Sequence, residues 1–227
     1  MKKIFLASAL ALFGAVNAQE YKSGNGDVTV DFGLTGGLGN TGVNLSESRG
    51  GITPGGVLKG RYFLSERTAL RGTFAIENAS TTDKSNSTPL LEDIRKTNKF
   101  RFDIGVGLER HFNGTERLSP YVGGDLYLGF DSQKTKNTVT PSGSSSIVTE
   151  VKGPNYFRIG LRGVFGADYY FAKRVYLGVE AGLGLEYASA GNTTRSVTGS
   201  PSVTTKGGSE FNIYPTVITG VRLGYAF

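Results

Sequence analysis

Apolar and polar residues alternate along most of this chain. Phe100, Phe102, Ile104, Val106 and Leu108 are interleaved with Arg101, Asp103, Gly105, Gly107 and Glu109. A helix would scatter both sets around its circumference, whereas a strand puts them on opposite faces. The same period of two runs through Val28, Val30, Phe32 and Leu34, and through Phe157, Ile159, Leu161, Phe165 and Tyr169. It recurs at Val175, Leu177, Val179, Leu183, Leu185 and Tyr187, and at Phe211, Ile213, Val217, Val221, Leu223, Tyr225 and Phe227. With weaker segments near 52–64, 68–79 and 118–130, the pattern predicts eight strands and no helix in the mature chain.

The predicted connections alternate in length. Short turns at 65–67, 113–117 and 172–174 separate long segments at 39–51, 80–98, 131–154 and 188–209, which are rich in Ser, Thr, Asn and Gly. The fold class expected is all-β, an eight-stranded antiparallel up-and-down barrel, in one domain with one elaborate end. Inside 131–154, Thr138-Val139-Thr140 and Ile147-Val148-Thr149 flank Pro141-Ser142-Gly143-Ser144. Inside 188–209, Ser196-Val197-Thr198 and Ser202-Val203-Thr204 flank Gly199-Ser200-Pro201. Both read as hairpins that prolong the barrel strands.

Residues 1–18 carry the pattern of a cleaved signal peptide. Lys2 and Lys3 precede the apolar run 4–16, and Val16-Asn17-Ala18 offers a cut before Gln19. A run of thirteen is too short for a spanning helix, which needs about 20 residues. Residues 19–227 then form the barrel domain, and without Lys2 and Lys3 the formal charge falls from +6 to +4.

Alternation leaves open which face points outward. A soluble barrel buries its apolar face, and a membrane barrel turns it to lipid. Aromatics decide for the membrane. Phe100, Phe130, Phe157, Tyr187 and Phe211 lie near the long segments, and Tyr62, Phe112, Tyr169, Phe171, Tyr225 and Phe227 near the short turns. Rings at two levels suit two membrane interfaces. The polar face holds Arg, Asp, Glu, Tyr, Thr and Gly but little Lys, an inventory for a crowded interior. A bilayer also admits sheet only where no edge is left, and eight strands close the smallest common barrel.

The final strand, Val221-Arg222-Leu223-Gly224-Tyr225-Ala226-Phe227, alternates and ends on Phe. On this motif and on its architecture, the chain resembles the small eight-stranded outer-membrane β-barrels of Gram-negative bacteria, the group of OmpX and the OmpA transmembrane domain. The resemblance covers 27–227. It implies a cell outer membrane location, and recognition by the barrel-assembly machinery of the strand ending at Phe227. Even-stranded barrels of this kind hold both termini and the short turns in the periplasm and the long loops outside.

By phase, the inward face holds Asp31, Lys59, Arg61, Arg71, Glu77, Arg101, Asp103, Glu109, Asp125, Arg158, Arg162, Asp168, Glu180, Glu186 and Arg222, seven basic and eight acidic residues. An eight-stranded lumen is just wide enough for side chains to fill, so these are expected to form an ionic network. An ion-selective pore would favour a ring of one sign.

Composition narrows the chemistry. The chain has no Cys and one His, which excludes thiolate nucleophiles and most histidine-based metal centres. No catalytic, cofactor-binding or metal residue is expected. Lipid A-modifying barrels use His with Ser at the outer leaflet, but His111 precedes a short turn and is followed by Phe112 and Asn113. Glu180 and Glu186 are expected to pair with Arg158 and Arg162. The function expected is a non-enzymatic barrel with a structural, adhesive or complex-forming role. The alternative is a narrow channel or conduit, and a lipid A-modifying enzyme ranks below both.

The expected contacts are outer-membrane lipid and lipopolysaccharide, and a protein partner at 131–154 and 188–209 by strand addition. Lys84, Arg95, Lys96, Lys99, Lys134, Lys136, Lys152, Arg195 and Lys206 lie in or beside the long segments, with Asp83, Glu92, Asp93 and Glu150 among them. Charge so dispersed argues against a nucleic-acid surface.

Overall fold

The computed structural model describes residues 21–33, 57–88, 91–141, 143 and 145–227. The leader expectation, Leu34 and the first long segment at 39–51 fall outside the described residues. The strands are β1 (Val28–Gly33), β2 (Val57–Ser65), β3 (Thr68–Thr88), β4 (Leu91–His111), β5 (Leu118–Pro141) and β6 (Ile147–Lys152). They continue with β7 (Tyr156–Ala172), β8 (Val175–Ala190), β9 (Thr193–Val197), β10 (Val203–Thr205) and β11 (Ser209–Ala226).

Eight of these close a ring in the order β1-β2-β3-β4-β5-β7-β8-β11, every neighbour antiparallel. The closing pair is β1 with β11, where Phe32 lies opposite Leu223. β11 slips register against β8 between Val217 and Thr219 and again between Thr219 and Arg222. Two slips restore the phase, so Ile213 and Leu223 face outward alike while Arg222 stays buried.

The outward face is apolar and bare. Leu161, Phe165, Leu183 and Ile213 are among the large exposed residues, Ile213 at 69%. Two girdles bound this band. Phe102, Phe130 and Phe157 are paired across β4, β5 and β7, and Tyr187 pairs with Phe211 on β8 and β11. Tyr169 and Phe171 mark the other level on β7. From Phe157 to Tyr169 the strand climbs about 31 Å, taking about 3.4 Å per residue and a tilt near 40°. That height matches a bilayer core.

At the short-turn end the chain before β1 forms a strap. Gly26 N donates to Phe63 O (2.8 Å), Ser23 Oγ shares a hydrogen bond with the Tyr170 hydroxyl (3.0 Å), and Arg174 N donates to Tyr21 O (3.3 Å). Arg117 caps it, donating to the Tyr21 hydroxyl at 3.0 Å with its guanidinium 4.4 Å from the ring centroid. β5, which follows Arg117, stands opposite β1 in the ring, so the strap crosses the mouth from one wall to the other.

Inward glycines make room for inward tyrosines. A Cβ at Gly166 would sit 2.5 Å from the Tyr121 ring and equally close to the Val179 carbonyl oxygen. Gly163, three residues earlier, has nothing within 4 Å of its Cβ direction. Gly166→Val should therefore lower stability by about 1–3 kcal/mol through overpacking. Gly163→Val should be nearly silent when both are compared by urea titration in lipid vesicles.

The long segment expected at 80–98 is corrected by the structure. β3 and β4 continue paired to Thr88 and Leu91. Thr81, Thr82 and Thr97 suit strand, and the ladder simply continues from the barrel. The other two long segments do form hairpins: β6 folds back on β5, with Lys134 opposite Lys152, and β10 on β9. β6 also pairs with β9 (Glu150 opposite Ser196), so the two hairpins join. The result is a continuous crown of β3, β4, β5, β6, β9 and β10 standing above the girdle.

Candidate functional site

Phase alone brings the predicted charges together. Asp31, Lys59, Arg61, Arg71, Glu109, Asp125, Arg158, Arg162, Asp168, Glu180, Glu186 and Arg222 are all buried. Glu77, Arg101 and Asp103 are half-buried on the same phase, nearer the crown.

The densest part of the network centres on Glu180. Its carboxylate accepts from Lys59 Nζ (2.8 Å), from both Arg71 terminal nitrogens (3.1 and 2.8 Å) and from the Tyr121 hydroxyl (2.7 Å). Arg71 reaches Asp125 at 2.7 Å and Glu109 at 2.8 Å, and Lys59 also meets Glu109. Arg61 bridges Glu109 (2.8 Å) and Asp168 (2.6 Å). Arg222 pairs with Asp31 and Asp168, each at 3.2 Å. Including Arg162, held by Asp125 at 2.9 Å, acids and bases in this layer are equal in number. Buried charge at this density is tolerable only when paired and hydrogen-bonded.

Nearer the crown, Arg158 joins Asp103 (2.8 Å), Asp131 (2.9 Å) and Glu186 (3.5 Å). Tyr127 donates to Glu186 at 2.9 Å and lies 2.6 Å from the Tyr214 hydroxyl. Above Arg158 opens a cavity of about 660 Å³, bordered by Glu77, Arg101, Asp131, Tyr156 and Glu210. Below it, beside Tyr127 and Arg162, lies a separate void of about 20 Å³, room for roughly one water.

At the short-turn end, His111 is 4% exposed. Its Nδ1 is 2.9 Å from Ser119 Oγ and its Nε2 3.3 Å from Glu109 Oε2. The ring contacts Phe63 and Tyr121 in tilted arrangements, with centroids 5.1 and 5.2 Å away. The order Ser–His–Glu is that of a hydrolytic relay, but Ser119 is itself buried. Glu109 is also engaged by Arg61, Arg71 and Lys59.

Several partners differ from the expectation. Arg158 does reach Glu186, whereas Arg162 takes Asp125 and Glu180 draws its cations from β2, β3 and β11. Asp131 and the lumen tyrosines 121, 127, 170, 176 and 214 complete the network and lie outside the set of inward charges expected from sequence. Their signal was phase: Tyr121, Asp125, Tyr127 and Asp131 are separated by even steps. Ser119 shares that phase too.

On the crown, register from Phe130 puts Lys84, Lys96, Lys134, Lys136 and Lys152 on the outward face, with Arg95, Lys99 and Arg195 on the inward one. Lys134 and Lys152 both reach Glu150, at 2.9 and 3.0 Å, and their hydrogen bonds hold its carboxyl below the usual glutamate range.

Among solved structures, the chain is similar in fold to Ail, the attachment invasion locus protein of Yersinia pestis. The identity is 14%, over 89% of this chain and 99% of that one, with a TM-score of 0.38. It is similar also to the outer membrane protein OprG from Pseudomonas aeruginosa (14% identity, 92% and 99% covered, TM-score 0.38). A third is the outer membrane protein AlkL in DMPC bilayers (14%, 94% and 95%, TM-score 0.36). No curated protein sequence matches the chain. A family model for OmpA-OmpF-like porins matches residues 57–199, from the first residue of β2 through the β9–β10 turn. With its closed ring of eight strands, its bare apolar wall and its polar interior, the chain is an outer-membrane β-barrel belonging to the OmpA-OmpF-like porin family.

Proposed function

We propose that this barrel is neither an enzyme nor an open pore, and that its crown, directed outside the cell with both termini periplasmic, is its working surface for adhesion or complex formation. The observation that carries the reading is the lumen: a charge-balanced, hydrogen-bonded plug with the strap across one mouth. Ions would have to displace paired charges in a space that side chains fill. The cavity above Arg158 is the feature that favours a conduit, yet the plug separates it from the strap. The Ser119–His111–Glu109 chain supports a structural role, since Ser119 is enclosed and Glu109 already neutralises cations.

Purified protein in planar bilayers should be nearly silent, and stable, stepwise, ion-selective openings would overturn the plugged reading. Orientation has its own test, because the chain has no cysteine. Ser202→Cys, at the β9–β10 turn, should react with a membrane-impermeant maleimide on intact cells, whereas Glu66→Cys, at a short turn, should not. The reverse pattern would place the crown in the periplasm. Recognition of the strand ending at Phe227 by the barrel-assembly machinery, and a protein partner at 131–154 and 188–209, belong to the same proposal. It is supported by the alternating last strand and by β10, which pairs with β9 alone among the described residues.

A further inference from the structure

The lysines of the crown are sorted by the sheet rather than spread over it. Lys96 lies directly opposite Lys136, and Lys134 directly opposite Lys152. Like charges opposed across a ladder oppose sheet formation, and here two such pairs are neighbours on one face. Glu150, the acid inside the block, is already held by Lys134 and Lys152. Asp83 and Asp93, which intersperse these lysines in sequence, fall on the inward phase, with Asp83 opposite Arg95. Glu150 is also the residue opposite Lys136, and Glu92 shares the outward phase four residues from Lys96, so the four lysines surround a single acid and the block keeps a net positive charge. A sequence that tolerates this repulsion has a use for an anion at that place.

Height says which anion. Lys134 and Lys136 stand four and six residues above Phe130 in the girdle. At about 3.4 Å per residue and a tilt near 40°, they lie about 10 to 16 Å above the hydrocarbon edge. The block also shares the outward phase of the lipid-facing residues beneath it. Its position is thus beside the headgroups of the membrane that holds the barrel, not over the lumen. We propose that Lys96, Lys134, Lys136 and Lys152 form a binding site for the phosphate groups of a phosphorylated glycolipid of the outer leaflet. The charge-assisted hydrogen bonds are those of ammonium to phosphate. This rests on the orientation proposed above, since only then does the crown stand in the outer leaflet's headgroup layer.

The test uses the folded full-length barrel in detergent and reads retained lipid by native mass spectrometry at about 0.15 M salt, where exposed charges are screened beyond about 8 Å. The probes are bisphosphorylated lipid A and its dephosphorylated form. Combining Lys96→Gln, Lys134→Gln, Lys136→Gln and Lys152→Gln should lower retention of the bisphosphorylated lipid at least tenfold. Dephosphorylation should do the same to the wild type. The inward set Arg95→Gln, Lys99→Gln and Arg195→Gln removes charge from the same strands and should change retention less than twofold. Heat-modifiable gel mobility confirms folding, and Lys96→Gln with Lys136→Gln serves if the fourfold variant does not fold. Unchanged retention in the outward variant, equal loss in the inward one, or displacement by millimolar inorganic phosphate would each overturn the proposal. Failure of the orientation is seen separately, as absent maleimide labelling at Ser202→Cys with lipid retention intact.

Discussion

Substituting Glu180 by leucine should destabilise the barrel by about 3–5 kcal/mol, the range for removing one partner of a buried ion cluster. Lys59, Arg71 and Tyr121 all donate to this carboxylate, and Arg222 lies 3.9 Å from it. With the acid gone, Lys59, Arg71 and Arg222 keep only Glu109, Asp125, Asp31 and Asp168, which also balance Arg61 and Arg162, so the buried layer is left with one positive charge in excess. Glu180→Gln should fall between, because an amide oxygen still accepts from Tyr121 and Arg71 while the charge is lost. Urea titration in lipid vesicles, followed by the heat-modifiable gel shift, measures both. A leucine variant within 1 kcal/mol of wild type would mean that water already dissipates the charge in the lumen.

Leu161→Arg should cost about 2–4 kcal/mol, the penalty for a charge on the lipid face near the midplane. Leu161 is 58% exposed on β7, between Phe157 at one girdle and Tyr169 at the other. Arg162, the next residue, is buried and paired with Asp125. One step along the strand thus exchanges hydrocarbon for an ionic interior. Arg162→Leu should also destabilise, by leaving Asp125 with Arg71 alone. Vesicle folding titrations of both separate the faces, and a tolerated Leu161→Arg would show that this wall does not meet lipid.

Most of the barrel is legible in the sequence because the bilayer enforces a strict period of two on its wall. The lumen list from Asp31 to Arg222 follows from phase with no knowledge of pairing. Pairing itself is not legible, because Glu180 meets Lys59 and Arg71 across the lumen from strands far away in sequence, and alternation carries no distance. The crown at 80–98 escapes notice for a different reason. Above the girdle both faces are wet, so Ser80, Thr82, Asp83 and Lys84 show no contrast, and only their β-propensity remains as a signal. The His111–Ser119 bond needs the turn at 112–117 to be folded back in register, which spacing alone does not give.

The seam between β1 and β11 joins the first and last strands of the ring: Thr29 lies opposite Ala226, and Arg222 reaches Asp31 across a separation of 191 residues. Before the last strand arrives, the other seven make an open sheet whose β1 and β8 margins carry unpaired backbone amides and carbonyls. Hydrocarbon cannot hydrate those groups, so strand-by-strand insertion is closed to this chain. Closure of the ring and entry into the membrane are thereby coupled, and any chaperone or template must shield two free margins at once. A chain truncated before β11 would not be a smaller barrel but a persistent open sheet, prone to join its neighbours edge to edge.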